Sequence, residues 1–329
     1  TNKGEIETVF NNIEHMISIG RSLIDVRLTL NNSNEREYAI DTKTPVAGQI
    51  LWSNNSDSKI TNFIIEARIT GNAVDRRTIS ATSGFYNSSQ NVLIWDKNYQ
   101  SQFKEISSGD SGAVDFKFSS LPLYTSSGGL LSSPSINIDV SISGRKADAN
   151  GVVSDLSTKE SRTIKIISDV GFSSKALYHS GLFTNTGPIP PKVEQKTTYT
   201  IVWSLSNTAN NISKTKVIAR IPEWVSFTNK ILPASEDVTF NSITREITWN
   251  VGSLQRGTSI TRAAREVSFQ IELFPSLSQV GTAPQLISGA SLTGHDDFAN
   301  VDVGLNKLPL DSRLLNDTSM PAKGGLVVE

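Results

Sequence analysis

The chain has 329 residues, no cysteine, and 31 basic against 32 acidic side chains scattered along its length. This composition excludes disulfides, thiolate metal sites and a cysteine nucleophile, and the longest basic cluster, Arg76-Arg77, is far too short to track nucleic acid. Two domains fit in this length, each able to bury about two thirds of its unfolded surface, and no apolar run approaches the ~20 residues of a membrane helix. The N-terminal segment, residues 1–22, lacks the order of a signal peptide. Ile6, Val9, Phe10, Ile13 and Ile17 share one face at helical spacing, which predicts a short helix over residues 5–16. The competing reading is the tail of a preceding domain, with a strand near residues 15–19. Starting at Thr1 and ending at Val327-Val328-Glu329, the sequence reads as a piece of something longer.

From residue 23 onward the periodicity is that of strands. Val26-x-Leu28-x-Leu30, Ile136-x-Ile138-x-Val140-x-Ile142 and Val267-x-Phe269-x-Ile271 alternate apolar with polar residues, the period of a sheet with one buried face. Clusters such as Asn54-Asn55-Ser56-Asp57-Ser58 and Gly187-Pro188-Ile189-Pro190-Pro191 punctuate them. Short strands between turn clusters, without alternating helices, predict an all-β protein built of sandwiches.

The landmarks also occur twice. Ile50-Leu51-Trp52, Ala67-Arg68-Ile69, Trp95 and Val114-x-Phe116-x-Phe118 return in order as Ile201-Val202-Trp203, Ala219-Arg220-Ile221, Trp249 and Val267-x-Phe269-x-Ile271. Ordered landmarks at matched intervals imply two copies of one fold. The reading pairs Trp52 with Trp203 and Trp95 with Trp249, all inward-facing. It divides the chain into the segment 1–22, sandwiches over 23–169 and 170–307, and an extended C-terminal segment over 308–329. Only about four residues near Ser168-Asp169-Val170-Gly171 join the copies, too few for a flexible tether, so the modules are expected to hold a narrow range of angles.

Candidate chemistry is sparse. Gly109-Asp110-Ser111-Gly112 matches the short string around a serine-protease nucleophile. Such a serine needs a histidine to take its proton and a carboxylate to orient that histidine, and the only histidine upstream is His15. The second copy carries Gly257-Thr258-Ser259 at the same place, which favours a turn, and no enzymatic activity is expected. Asp148, Asn150 and Asp155 alternate in a Gly-containing loop and are weak candidates for a calcium ion, which the EF-hand spacing and the second copy do not support. No other cofactor is expected. Phe85, Tyr86 and Trp224, outside the paired core positions, are weak candidates for ligand contact.

Copy two carries a resemblance. Tyr199-Thr200-Ile201-x-Trp203-x-Leu205-x-Asn207-Thr208, then Lys216-Val217 and Ile221-Pro222-x-x-Val225-x-Phe227, then Trp249-Asn250-Val251-Gly252-Ser253-Leu254 and Gly257-Thr258-Ser259, resembles the bacterial conserved-repeat domain, an Ig-like module. Copy one departs from it at Ile69-Thr70-Gly71 and Trp95-Asp96-Lys97. The combination is similar to large surface proteins of candidate-phylum bacteria, where such modules run in tandem. The resemblance implies an extracellular, cell-surface location and a structural role, as a rigid spacer or a surface-lattice component contacting neighbouring copies. The alternative is an adhesin whose module-end loops bind a surface protein or glycan.

Overall fold

The computed structural model of the protein describes residues 22–124, 129–147 and 152–329. The first module holds β1 (Ile24–Leu30), β2 (Glu37–Ile40), β3 (Pro45–Asn54), β4 (Ile60–Thr70), β5 (Val74–Ala81), β6 (Phe85–Asn87), β7 (Val92–Trp95), β8 (Glu105–Ile106), β9 (Ser111–Ser120), β10 (Ser135–Ala147) and β11 (Val153–Ile166). The second holds β12 (Val170–Leu177), β13 (Thr197–Asn207), β14 (Ile212–Arg220), β15 (Val225–Leu232), β16 (Asp237–Asn241), β17 (Glu246–Leu254), β18 (Arg265–Leu273), β19 (Gln285–Ile287), β20 (Ser291–Asp296), β21 (Val301–Asn306) and β22 (Leu310–Asp311). Residues 1–21, with the predicted helix over 5–16 and the competing strand near 15–19, lie outside the described residues.

Each module is an Ig-like β-sandwich, and the two share one topology. A four-stranded sheet ordered β1-β3-β9-β5 in the first corresponds to β12-β13-β18-β15 in the second. The facing sheet, ordered β11-β10-β4-β7-β6, corresponds to β21-β20-β14-β17-β16. The alternation read from sequence produces this directly: β3 and β9 bury every second residue, and the inward sets of the two sheets form a separate core in each module.

Register refines the pairing of the tryptophans. Trp95 lies opposite Ile65 and Trp249 opposite Val217, so these indoles are equivalent. Trp203 lies opposite Val267 as Ile50 lies opposite Val114, so the counterpart of Trp203 is Ile50 and not Trp52. Trp52 sits one inward layer away, opposite Gly112. Because strand side chains alternate with period two, a shift of two residues keeps the indole inside and changes only its neighbours. Trp52 packs on Phe63 and Phe103 with ring centroids 5.1 and 5.5 Å away, whereas Trp203 packs on Phe269 at 4.9 Å. Glycine makes the room: a Cβ on Gly112 would lie 2.7 Å from the Trp52 ring, and one on Gly48 would lie 2.1 Å from that of Phe116.

The modules differ at their last hairpin. β10 and β11 pair without a break from Ser135↔Lys165 to Ala147↔Val153, and β2 adds a parallel strand along Thr163 to Ile166. In the second module the same hairpin is cut in two, as β20 with β21 and β19 with β22. At the cut, Gly289 lies under the Lys307 carbonyl, with only 2.8 Å left for a Cβ, and Pro309 has no N–H to give to a ladder. Residues 308–329 then run back over this module. Asp317 accepts hydrogen bonds from the backbone N–H groups of Tyr178 and His179, both 2.7 Å. Val327 and Val328 bridge to Val280 and Lys192.

Candidate functional site

The junction between the modules is a buried, densely hydrogen-bonded polar site. Ile167 N–H still pairs with the Ile40 carbonyl of the first module, at 2.9 Å. Ser168 then begins the second module: its N–H donates to Asp296 Oδ2 at 2.9 Å and its hydroxyl to Asn207 Oδ1 at 2.7 Å. The same hydroxyl accepts from Ala209 N–H at 2.8 Å and Asn210 N–H at 3.2 Å. Asn210 Nδ2 spans the joint, donating to the Ile166 carbonyl at 3.0 Å and to Asp296 Oδ2 at 2.9 Å.

These groups are buried, and every side-chain polar atom among them except Asn210 Oδ1 has a partner that makes this affordable. Asn207 and Asp296 have no exposed surface, and Ser168 and Asn210 have 4% and 3%. A buried polar group costs several kcal/mol when unpaired and little when bonded. Asp296 Oδ1 also accepts from the N–H groups of Phe298 and Ala299, at 3.1 and 2.9 Å. Asn207 Nδ2 closes the corner on the Asn210 and Leu254 carbonyls, at 2.7 and 3.1 Å.

Further contacts cross the joint. Ala209, a residue of the second module, packs in the apolar core of the first. Arg256 donates from Nη2 to the Leu130 carbonyl at 2.9 Å and from Nε to that of Leu131 at 3.3 Å. The Lys165 ammonium stands 5.5 Å from the centre of the Phe298 ring, a cation–π contact. Burial pushes the Asp169 carboxyl above the usual carboxylate range, helped by Asp41 of the first module and opposed by Lys43.

The residues singled out from sequence do not converge. Asp148 and Asn150 lie outside the described residues, and so does His15. Asp155 is on β11 and exposed, ion-paired with Arg145 at 3.2 Å. Among the described residues no group of three or more His, Asp or Glu is placed to hold a metal ion. Gly109 and Gly257 occupy equivalent turns, at φ 82° and 81°, and Asp110 closes its turn on Ser107 N–H at 2.7 Å. Phe85 is 46% exposed on β6 and stacks on Tyr99, while Tyr86 turns inward against the core. Trp224, 39% exposed in the other module, is tied down by its Nε1 to the Gln285 carbonyl at 2.8 Å.

Sequence reasoning missed Asn207, Asp296 and Asn210. A signal for the first was present: Trp52-Ser53-Asn54 and Leu205-Ser206-Asn207 end equivalent strands, and each asparagine lies opposite the first residue of the leading strand, Ile24 or Val170. Asp296 gave no signal, because its counterpart across the repeat is Lys146, opposite Ile60 as Asp296 is opposite Ile212.

No protein-family model matches the sequence, and no curated protein matches it. Among solved structures, the C-terminal domain of the Streptococcus pyogenes antigen I/II-family protein AspA is similar at 9% identity and TM-score 0.31, covering 87% of this chain and 99% of that one. The major pilin subunit BcpA of Bacillus cereus is similar at 8% identity and TM-score 0.29, over 88% of this chain and 65% of that one. The seventh ScaB type I cohesin of Pseudobacteroides cellulosolvens is similar at 12% identity and TM-score 0.26, over 45% and 94%. At such identities and scores no residue role passes to this chain. No helix among the described residues is long and apolar enough to cross a membrane.

Proposed function

We propose that this chain is a non-enzymatic structural element of a bacterial cell-surface protein, a rigid spacer that sets the distance and angle between what lies on either side of it. The observation that carries this reading is the junction. Two sandwiches joined by a free linker would tumble independently. Here Ser168, Asn207, Asn210 and Asp296 form one buried hydrogen-bonded unit in which Asn210 bonds both modules at once. Pairing through Ile167 N–H runs without a gap into the Ser168 bonds, so no residue of the connection is left to act as a hinge. The extracellular location rests on the resemblance of residues 199–259 to surface Ig-like repeats.

A mechanical role asks the molecule to keep its shape under load, and separate cores linked by a bonded joint do that. Backbone 15N relaxation tests it: both modules should report one common rotational diffusion tensor. Two independent tensors would show that the joint is loose and that the chain does not act as a spacer. In the lattice form of the proposal, the intact protein assembles into sheets or filaments as its concentration rises. A protein that stays monomeric in every ionic condition retains the spacer role alone.

A further inference from the structure

We propose that the outer face of the β11-β10-β4-β7-β6 sheet in the first module binds an extended, uncharged oligosaccharide laid across the strands. The register places Phe85, Ile94, Glu66, Ser141 and Lys159 in one cross-strand row. The adjacent row is Asn87, Val92, Arg68, Asp139 and Ser161. Glu66, Arg68, Asp139, Ser141, Lys159 and Ser161 line a shallow cleft of about 300 Å³. Tyr99 joins Phe85 at the far end, with ring centroids 5.9 Å apart and planes within 6°. Both rings are about half exposed, 46% for Phe85 and 45% for Tyr99.

This pattern suits the two-sided chemistry of a sugar. A pyranose has an apolar C–H face that stacks on an aromatic ring, and a rim of hydroxyls that both donate and accept hydrogen bonds. The exposed part of this stacked ring pair offers the platform. The cleft offers carboxylates as acceptors, a guanidinium and an ammonium as donors, and hydroxyls as either. Ser161 Oγ already donates to Asp139 at 2.8 Å, and Arg68 Nη1 to the Gln90 carbonyl at 2.9 Å, which hold these groups in place. Two acidic groups balance two basic ones, so the face favours an uncharged chain over a polyanion or polycation. Five strands at a spacing of ~4.8 Å span roughly 19 Å, room for several sugar units.

The fold does not require Phe85, Glu66 or Lys159. At the equivalent row of the second module stand Thr239, Thr248, Ile218, Ser291 and Asn306. Neither the rings nor the charges of Glu66 and Lys159 recur in that row, so the sandwich forms without them, whereas Arg68 has a charged counterpart in Arg220, which ion-pairs with Glu246 at 3.6 Å. The proposed site shares Phe85 with the ligand-contact candidates read from sequence but lies on the sheet face, and it is independent of the spacer role.

The test is calorimetry of the whole chain with cellohexaose, chitohexaose and mannohexaose, each beside its monosaccharide. The expected result is that at least one hexasaccharide binds more tightly than its monosaccharide. In the double variant Phe85→Ala/Tyr99→Ala that affinity should fall by at least about tenfold, with an unchanged thermal midpoint because both rings are on the surface. Arg68→Ala should weaken the same hexasaccharide, whereas Thr248→Ala in the second module should not. The proposal is overturned if no hexasaccharide binds at millimolar concentration, if the double variant binds as the parent does, or if the monosaccharide binds as tightly as the hexasaccharide.

Discussion

The leading corners of the two modules share a backbone and differ in what their side chains do with it. Both are built on a buried asparagine, Asn54 or Asn207, whose amide satisfies nearby carbonyls. Around Asn207 the groups are Ser168, Ala209, Asn210, Asp296 and Arg256, and together they seat the corner on the preceding module. Around Asn54 the structure has Ser56 where the second module has Ala209. Lys146 replaces Asp296, and it ion-pairs with Asp57 at 2.6 Å. A carboxylate bonded on both oxygens inside a joint has become a half-buried ammonium paired with an exposed carboxylate. One corner therefore serves as a joint bonded to the preceding module, while the other closes on groups of its own module, and a few substitutions on a shared turn make the difference.

Breaking the comparison at its deepest point is the most damaging. Trp249→Ala, which removes a fully buried indole, should cost about 3 to 5 kcal/mol, measured by chemical denaturation. Exposed Trp224→Ala should cost far less. Asp296→Ala strips partners from Ser168, Asn210, Phe298 and Ala299, and a loss of about 3 kcal/mol is expected, with broadened amide resonances at Ser168 and Asn210. Lys146→Ala, at the corresponding place in the first module, should leave the unfolding midpoint nearly unchanged, because its partner Asp57 is exposed. Equal losses for Asp296→Ala and Lys146→Ala would mean that the two corners are not functionally different.

The smallest effect expected is on pH dependence. Burial, with Asp41 next to it, raises the Asp169 carboxyl. A raised acid binds its proton more readily folded than unfolded, so its charge weakens the joint at neutral pH. That penalty should fade as pH drops through the raised value toward the ordinary aspartate range. Asp169→Asn should stabilise the protein near pH 7 and flatten the slope in that window. Asp317 has the opposite sign. Burial alone would raise it, but the N–H groups of Tyr178, His179 and Ser319, with His179 close by, hold it below the ordinary value. Its contribution is present above the ordinary value and is lost as pH falls through the lowered one, so Asp317→Asn should remove the loss at the acid end.

The sandwich class and the duplication were legible because burial on one face of a strand imposes period two, and period two is visible in a single sequence. The Trp52 and Trp203 pairing misled for the same reason: a shift of two residues preserves the face, so the nearly equal intervals from Trp52 to Ala67 (15 residues) and from Trp203 to Ala219 (16) concealed a change of layer. The joint was much less legible. Asn210 and Asp296 act across 86 residues, and neither stands out locally as a turn or strand signal. The cross-strand row from Phe85 to Lys159 is scattered over five strands, and only the register brings it together. Tyr99 lies in a turn fourteen residues from Phe85, and only the fold sets the two rings parallel.

The central claim is that the joint is rigid, and the chain's lack of cysteine makes one measurement especially direct. Spin labels attached through Gln102→Cys and Ser242→Cys, one exposed position in each module, report the distance between modules by double electron–electron resonance. The account predicts a single narrow distance distribution that broadens on adding Asp296→Ala. A broad or multimodal distribution in the otherwise unaltered protein would contradict it.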